Sequence, residues 1–78
     1  MNQKLVEIFV DIYGLEPSEV SPELNIANVG SWNSLNNLRF VTAVEEEFGI
    51  ELTAEQIQQM TTMPSIISVL TEKGVPVF

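Results

Sequence analysis

The sequence contains no cysteine and no histidine. Without thiols it can form neither disulfides nor thiolate metal sites. Without imidazole it lacks the commonest general base and the commonest metal ligand, and without thiolate the best neutral-pH nucleophile. An autonomous enzyme is therefore not expected. Basic residues are nearly as scarce: Lys4, Arg39 and Lys73 stand against 11 Asp and Glu, giving a net charge of -8. Such a field repels phosphate backbones and anionic headgroups, which argues against nucleic acid and membrane surfaces as partners. It favours encounter with proteins that carry Lys and Arg clusters. No apolar run approaches the roughly 20 residues needed to span a bilayer. The opening Met1-Asn2-Gln3-Lys4-Leu5 also lacks the uninterrupted apolar stretch of a secretory signal. A monomer in a reducing cytoplasm is the expected setting.

What is present fits one domain, residues 1–78, because 78 residues with a 45% hydrophobic fraction supply one core and no more. From Lys4 to Tyr13 the residues Leu5, Ile8, Phe9 and Ile12 recur at helical spacing, and Gly14 can close that first helix in the left-handed conformation. Leu15 to Asn33 contains Pro17, Pro22 and Gly30 with scattered Ser and Asn, and reads as a long loop. Within it Ser21-Pro22-Glu23 could open a brief helical turn, and Leu24, Ile26 and Val29 are expected to pin it to the core.

A second helix is predicted from Ser34, whose hydroxyl suits the N-cap, through Leu38, Val41, Val44 and Phe48 to a stop at Gly49. Thr53-Ala54-Glu55-Gln56 matches a capping box and starts a short third helix to about Met60. The run Thr61-Thr62-Met63-Pro64 marks a fourth, with Ile66, Ile67 and Leu70 as its apolar stripe before Gly74. The tail after Gly74 is expected to be docked or frayed. The fold class is thus all-α: a small four-helix bundle, three main helices and one short, with a long connection between the first two.

Ser34 draws attention because a helix start carries unpaired amides and the positive end of the macrodipole, where a phosphate would be stabilised. A serine in that place is most often only a cap. The more specific signal is the run Gly30-Ser31-Trp32-Asn33-Ser34-Leu35, followed after one helix by Glu45-Glu46-Glu47-Phe48-Gly49-Ile50 and then by Met60-Thr61-Thr62-Met63. In order and spacing these resemble the acyl carrier protein family over nearly the whole chain. In that family a Gly-x-Asp-Ser-Leu-type motif opens the second helix, an acidic run and a Phe close it, and a Thr-rich segment precedes the last helix.

The resemblance implies that Ser34 accepts 4'-phosphopantetheine from coenzyme A, installed by a separate phosphopantetheinyl transferase with Mg²⁺. It also implies that acyl groups travel on the arm between acyl-transferring, condensing or ligase enzymes, in fatty acid, polyketide or a related pathway. Binding between the helices would offer an acyl chain partial shelter. A cysteine-free chain has no thiol of its own, so one must come from a prosthetic arm. Trp32 is similar to the Trp-Asp-Ser-Leu form of specialised and non-ribosomal carriers, which leaves an amino acid or peptidyl cargo open. It serves either loop packing or partner contact. Leu35 either stays exposed as an apolar partner contact or closes the bundle.

Two features depart from the family pattern. Asn33 stands where the family has Asp, and an amide cannot supply the carboxylate that would help hold Mg²⁺ in a transferase complex. Loading is therefore expected to be slow, to need a dedicated transferase, or to be absent, in which case the chain is an unmodified interaction module. Arg39, with Asn36 and Asn37, stands where the family presents acidic residues, so the partner-facing charge is locally reversed. Glu45 and Glu46 keep the family's acidic surface further along. Glu47, Glu51 and Glu55 are spaced at four-residue steps, but with Gly49 breaking the register and no His ligands they read as solvent-facing carboxylates with weak cation affinity at most. No metal site is expected.

Overall fold

A computed structural model describes residues 1–78. It contains α1 (Gln3–Tyr13), α2 (Ser34–Phe48), α3 (Ala54–Gln59) and α4 (Met63–Glu72), with no strand. The predicted all-α class and the helix order are both observed, and each helix starts and stops for a local reason. Asn2 caps α1 by accepting from the Lys4 and Leu5 amides at 2.9 and 3.3 Å. Thr53 and Gln56 cap α3 reciprocally at 3.0 and 3.1 Å. Thr62 and Ser65 do the same for α4, with Pro64 tolerated in the first turn. Gly14 and Gly49 end α1 and α2 at φ 69° and 64°, a backbone region that side-chain-bearing residues rarely enter. The Ile50 amide then reaches back to the Glu45 carbonyl at 3.2 Å and locks the end of α2.

One core gathers 14 buried residues from α1, α2 and α4, the loop, the tail and Met60 just past the end of α3. Its centre is aromatic: the Phe9 and Phe40 rings lie 4.7 Å apart and tie α1 to α2. Removing a ring of this kind from a core costs about 3–5 kcal/mol, a large share of what a domain of this size has.

Two helix faces differ from the sequence expectation. In α1 the buried row is Leu5, Phe9 and Tyr13, while Ile8 and Ile12 are only half-buried. In α2 the buried row is Phe40, Val41 and Val44, whereas Leu38 is 57% exposed. The contact between the two Phe rings rotates α2 so that Phe40 faces inward, and Leu38, two residues earlier, must then point away.

The long connection is pinned by Val20 and Ile26, both buried, with Leu24 and Val29 packed at the edge of the core. Short 3₁₀ turns form at Pro17–Glu19 and Ile26–Asn28. Ser21-Pro22-Glu23 forms only a turn, closed by the Leu24 amide on the Ser21 carbonyl at 3.1 Å, because the chain is drawn inward at Leu24 and Ile26 before a helix can propagate. The tail is docked rather than frayed. Val75 and Val77 are buried, and Asn2 holds the segment through its amide on the Val77 carbonyl (2.6 Å) and its side chain on the Pro76 carbonyl (2.9 Å).

Candidate functional site

The start of α2 is set by Asn33, not by Ser34. The Asn33 backbone is extended (φ -149°, ψ 172°) and its Oδ1 accepts from the Asn36 amide at 2.9 Å, which makes Asn33 the cap and Ser34 the first helical residue. The expectation that the Ser34 hydroxyl serves as the cap is corrected by this bond: an amide oxygen one residue earlier already fills that position. The consequence favours chemistry. Ser34 is exposed, and the side-chain hydrogen bonds around it run through Ser31, Asn33, Asn36 and Arg39 without engaging its hydroxyl.

Two backbone amides accompany that hydroxyl. Those of Asn36 and Asn37 are taken by Asn33 Oδ1 and the Asn33 carbonyl, while those of Ser34 and Leu35 have no protein acceptor. No acidic residue lies in the first turn to offset the helix dipole. An exposed alcohol beside free amides at the positive end of a 15-residue helix suits an attached phosphodiester, so the residues fit a phosphopantetheine group.

The loop that presents Ser34 is held by Tyr13 at the end of α1. The Ser31 hydroxyl donates to the Tyr13 carbonyl at 2.8 Å, and the Asn36 side chain donates to the Ser31 carbonyl at 2.8 Å. The Trp32 ring stacks on Tyr13 at 4.9 Å and 27°. The Tyr13 hydroxyl in turn donates to Asn37 Oδ1 at 2.9 Å. Ring, carbonyl and hydroxyl of one residue therefore each fix a different point on the stretch from Ser31 to Asn37. Tyr13, Ser31, Asn36 and Asn37 were not singled out in the sequence for this role. Tyr13 was discoverable, since it continues the four-residue row of Leu5 and Phe9, but the polar bonds carry no periodic signal.

The remaining sequence-predicted residues divide into two groups. Trp32, Asn33, Ser34, Leu35 and Arg39 meet at the first turns of α2. Trp32 is half-buried against Tyr13, while Leu35 is 68% exposed and does not close the bundle. Arg39 is exposed, and its only polar contact is a long 3.5 Å approach to Asn36 Oδ1. Glu45 and Glu46 lie some three turns on, Glu46 about 18 Å from Ser34 along the helix axis. Glu46 is exposed, but Glu45 is half-buried and accepts from the Leu52 amide at 2.8 Å, so it braces the turn after α2. Glu47 pairs with Lys4 at 3.4 Å, an exposed contact of small energetic value. Glu47, Glu51 and Glu55 do not converge, and no three acidic side chains form a group that could hold a metal ion. Two open depressions of about 450 and 480 Å³ flank the long connection, and neither is lined by a residue of α2, so no preformed shelter for an acyl chain opens along that helix.

Burial pushes the Tyr13 phenol far above its ordinary range, so it stays a hydrogen-bond donor at alkaline pH. A raised folded-state value means that stability from this group is fully present below the unfolded phenol value of about 10 and is lost as pH rises beyond it. Tyr13→Phe keeps the stack and removes the donor. Urea unfolding at pH 7 is expected to show a loss of about 0.5–1.5 kcal/mol, and the phenol's share of the decline above pH 10 disappears. An unchanged midpoint at pH 7 together with an unchanged alkaline decline would show that the hydroxyl does not hold α2.

Comparison with known proteins agrees with this geometry. The family model described as "Phosphopantetheine attachment site" matches residues 3–70, which includes the long connection and all of α2. An acyl carrier protein of Solidesulfovibrio magneticus is 34% identical over 71 residues, covering 91% of either chain. An acyl carrier protein of Thermosynechococcus vestitus is 28% identical over 71 residues, covering 91% of this chain and 88% of its own. A helical bundle that offers a free alcohol at a helix start, matched along nearly its whole length by these proteins, belongs to the acyl carrier protein family and has phosphopantetheine as its cofactor.

Proposed function

We propose that this chain carries acyl intermediates as thioesters on a 4'-phosphopantetheine arm joined to Ser34, in fatty acid, polyketide or a related specialised pathway. The observation that supports it most is the exposed Ser34 hydroxyl, left free because Asn33 does the capping. When bound, the arm supplies the thiol that a cysteine-free chain lacks. The chain's own residues do the positioning. Asn33 fixes the helix start, the Ser34 and Leu35 amides face the added phosphate charge, and the Tyr13 contacts hold the loop so that the hydroxyl is presented at one place. The partners are a phosphopantetheinyl transferase and acyl-handling enzymes that reach Ser34 from solvent, in a cytoplasmic setting. No helix is long and apolar enough to cross a membrane.

Trp32, the residue that hints at an amino acid or peptidyl cargo, is accounted for by its stack on Tyr13. Asn33 favours a second reading, a carrier-shaped interaction module that is never loaded, since its amide brings no charge to a transferase-bound Mg²⁺. The cap itself does not separate the two readings, because Asp and Asn cap helices about equally well.

Intact mass separates them. Incubation with coenzyme A, Mg²⁺ and a broad-specificity transferase is expected to add one phosphopantetheine to the wild-type chain and none to Ser34→Ala. Addition to Ser34→Ala would place the arm elsewhere, and no addition under any transferase would favour the unloaded module. Asn33→Asp keeps the cap and restores the carboxylate, so its initial loading rate is expected to exceed wild type by about tenfold, the scale of one charge-assisted contact. Equal rates would remove Asn33 as the cause of slow loading.

A further inference from the structure

The chain contains six asparagines, Asn2, Asn25, Asn28, Asn33, Asn36 and Asn37, and only Asn33 is followed by a residue as small as serine. That order matters because asparagine is chemically labile: its side-chain carbonyl can be attacked by the backbone nitrogen of the next residue. A bulky or β-branched follower crowds the approach, as Ile26 does after Asn25 and Val29 after Asn28.

The structure separates Asn33 from the other five in a second way. Asn33 and Ser34 are both exposed, and the Ser34 amide has no protein acceptor, so no bond to that nitrogen's hydrogen must first be broken. By contrast the Val29 amide is tied to the Ile26 carbonyl at 3.0 Å and the Asn37 amide to the Asn33 carbonyl at 2.9 Å, which guards Asn28 and Asn36. The Asn2 side chain is held at both ends, by the Lys4 and Leu5 amides and the Pro76 carbonyl, and that of Asn37 accepts the Tyr13 hydroxyl. The Ser34 nitrogen also sits at the positive end of α2, which stabilises the amide anion that attacks. What opposes the reaction is the cap. The extended backbone (ψ 172°) and the bond from the Asn36 amide hold the Ser34 nitrogen off the Asn33 Cγ. Ring closure therefore starts from molecules whose first turn has opened, an event that helix ends undergo readily.

We propose that Asn33 is a site of spontaneous deamidation, and that the reaction installs beside Ser34 the carboxylate that this chain lacks. The Ser34 nitrogen bonds to Asn33 Cγ, its proton passes to the departing Nδ2, and ammonia leaves a cyclic succinimide. Water then opens the ring, its hydroxyl going to one carbonyl carbon and its remaining proton to the Ser34 nitrogen. Opening at Cγ gives aspartate; opening at the main-chain carbonyl gives isoaspartate, with one more methylene in the backbone ahead of α2. Aspartate caps a helix as well as asparagine does, is favoured by the dipole, and brings a charge to a transferase-bound Mg²⁺. Isoaspartate carries its carboxylate off the cap position and brings no such gain. The consequence for loading rests on the reading of Ser34 as the attachment point, whereas the conversion itself does not.

Ageing of the folded, unmodified chain in neutral buffer tests this, with fragmentation mass spectrometry locating each amide-to-acid mass gain. Conversion is expected at Asn33 before any other asparagine has changed measurably. Ser34→Ile, which crowds the attacking nitrogen and leaves the Asn33 cap in place, is expected to lose most of it. Asn33→Gln, whose longer side chain closes such a ring poorly, is expected to lose it as well. Conversion at Asn33 no faster than at Asn25 or Asn28, or undiminished in Ser34→Ile, would overturn the site. The aged wild-type chain is then incubated with coenzyme A, Mg²⁺ and the transferase. A fast-loading fraction equal to its aspartate content is expected, absent from aged Asn33→Gln. A single rate in a sample shown to contain aspartate at this position would overturn the gain in loading. If neither fresh nor aged chain accepts phosphopantetheine under any transferase while the mass gain at Asn33 persists, the attachment reading fails and the deamidation site stands.

Discussion

The hydrogen bond from the Asn36 amide to the Asn33 side-chain oxygen decides where α2 begins, and with it what Ser34 is free to do. A helix start has more donors than its own backbone can satisfy, and the residue that caps it spends its side chain on that task. Because Asn33 takes the role, the next residue enters the helix with its hydroxyl outward and its amide unpaired. Had Ser34 been the cap, the same oxygen would serve both as helix acceptor and as the proposed attachment atom. The separation of capping from presentation into adjacent residues is what makes the site compatible with a bulky, charged substituent.

That arrangement depends in turn on Tyr13. The segment before Asn33 ends a long connection whose regular structure amounts to two short 3₁₀ turns, and such segments ordinarily move more than the helices they join. Here the end of α1 is used as a post. Ser31 bonds to the Tyr13 carbonyl, Trp32 lies on its ring and Asn37 accepts its hydroxyl. Phe9 and Phe40, in tilted ring contact, fix α1 against α2, so the post and the helix it supports share one aromatic core. The site is precise because its loop is anchored at both ends of a rigid pair, in keeping with the rule that functional groups are best held by packed elements.

Much of this was legible in the sequence because helix boundaries are local chemistry. Gly14, Gly49 and the Thr53 and Thr62 boxes act within a few residues of themselves, and each is found where its residues predict. Which way a helix faces is not local. Leu38 fits the spacing of a buried row as well as Phe40 does, and only the ring of Phe9 on another helix decides between them. The cap was misplaced by one residue for a related reason: Asn33 and Ser34 both have the right side chain, and the extended backbone at Asn33 is fixed by tertiary contacts of Ser31 and Trp32. Glu45 could not be distinguished from Glu46 by type, yet the turn after Gly49 brings the Leu52 amide to one of them and leaves the other to solvent.

On the proposed function, the start of α2 is already shaped for a phosphodiester before any is attached. Amide chemical shifts of the chain before and after loading with phosphopantetheine test this directly. Preorganisation predicts the largest changes at Ser34 and Leu35, with Tyr13, Ser31 and the core resonances near Phe9 and Phe40 essentially unmoved. Broad changes through α1 and the core, or no response at Ser34 and Leu35, would contradict it.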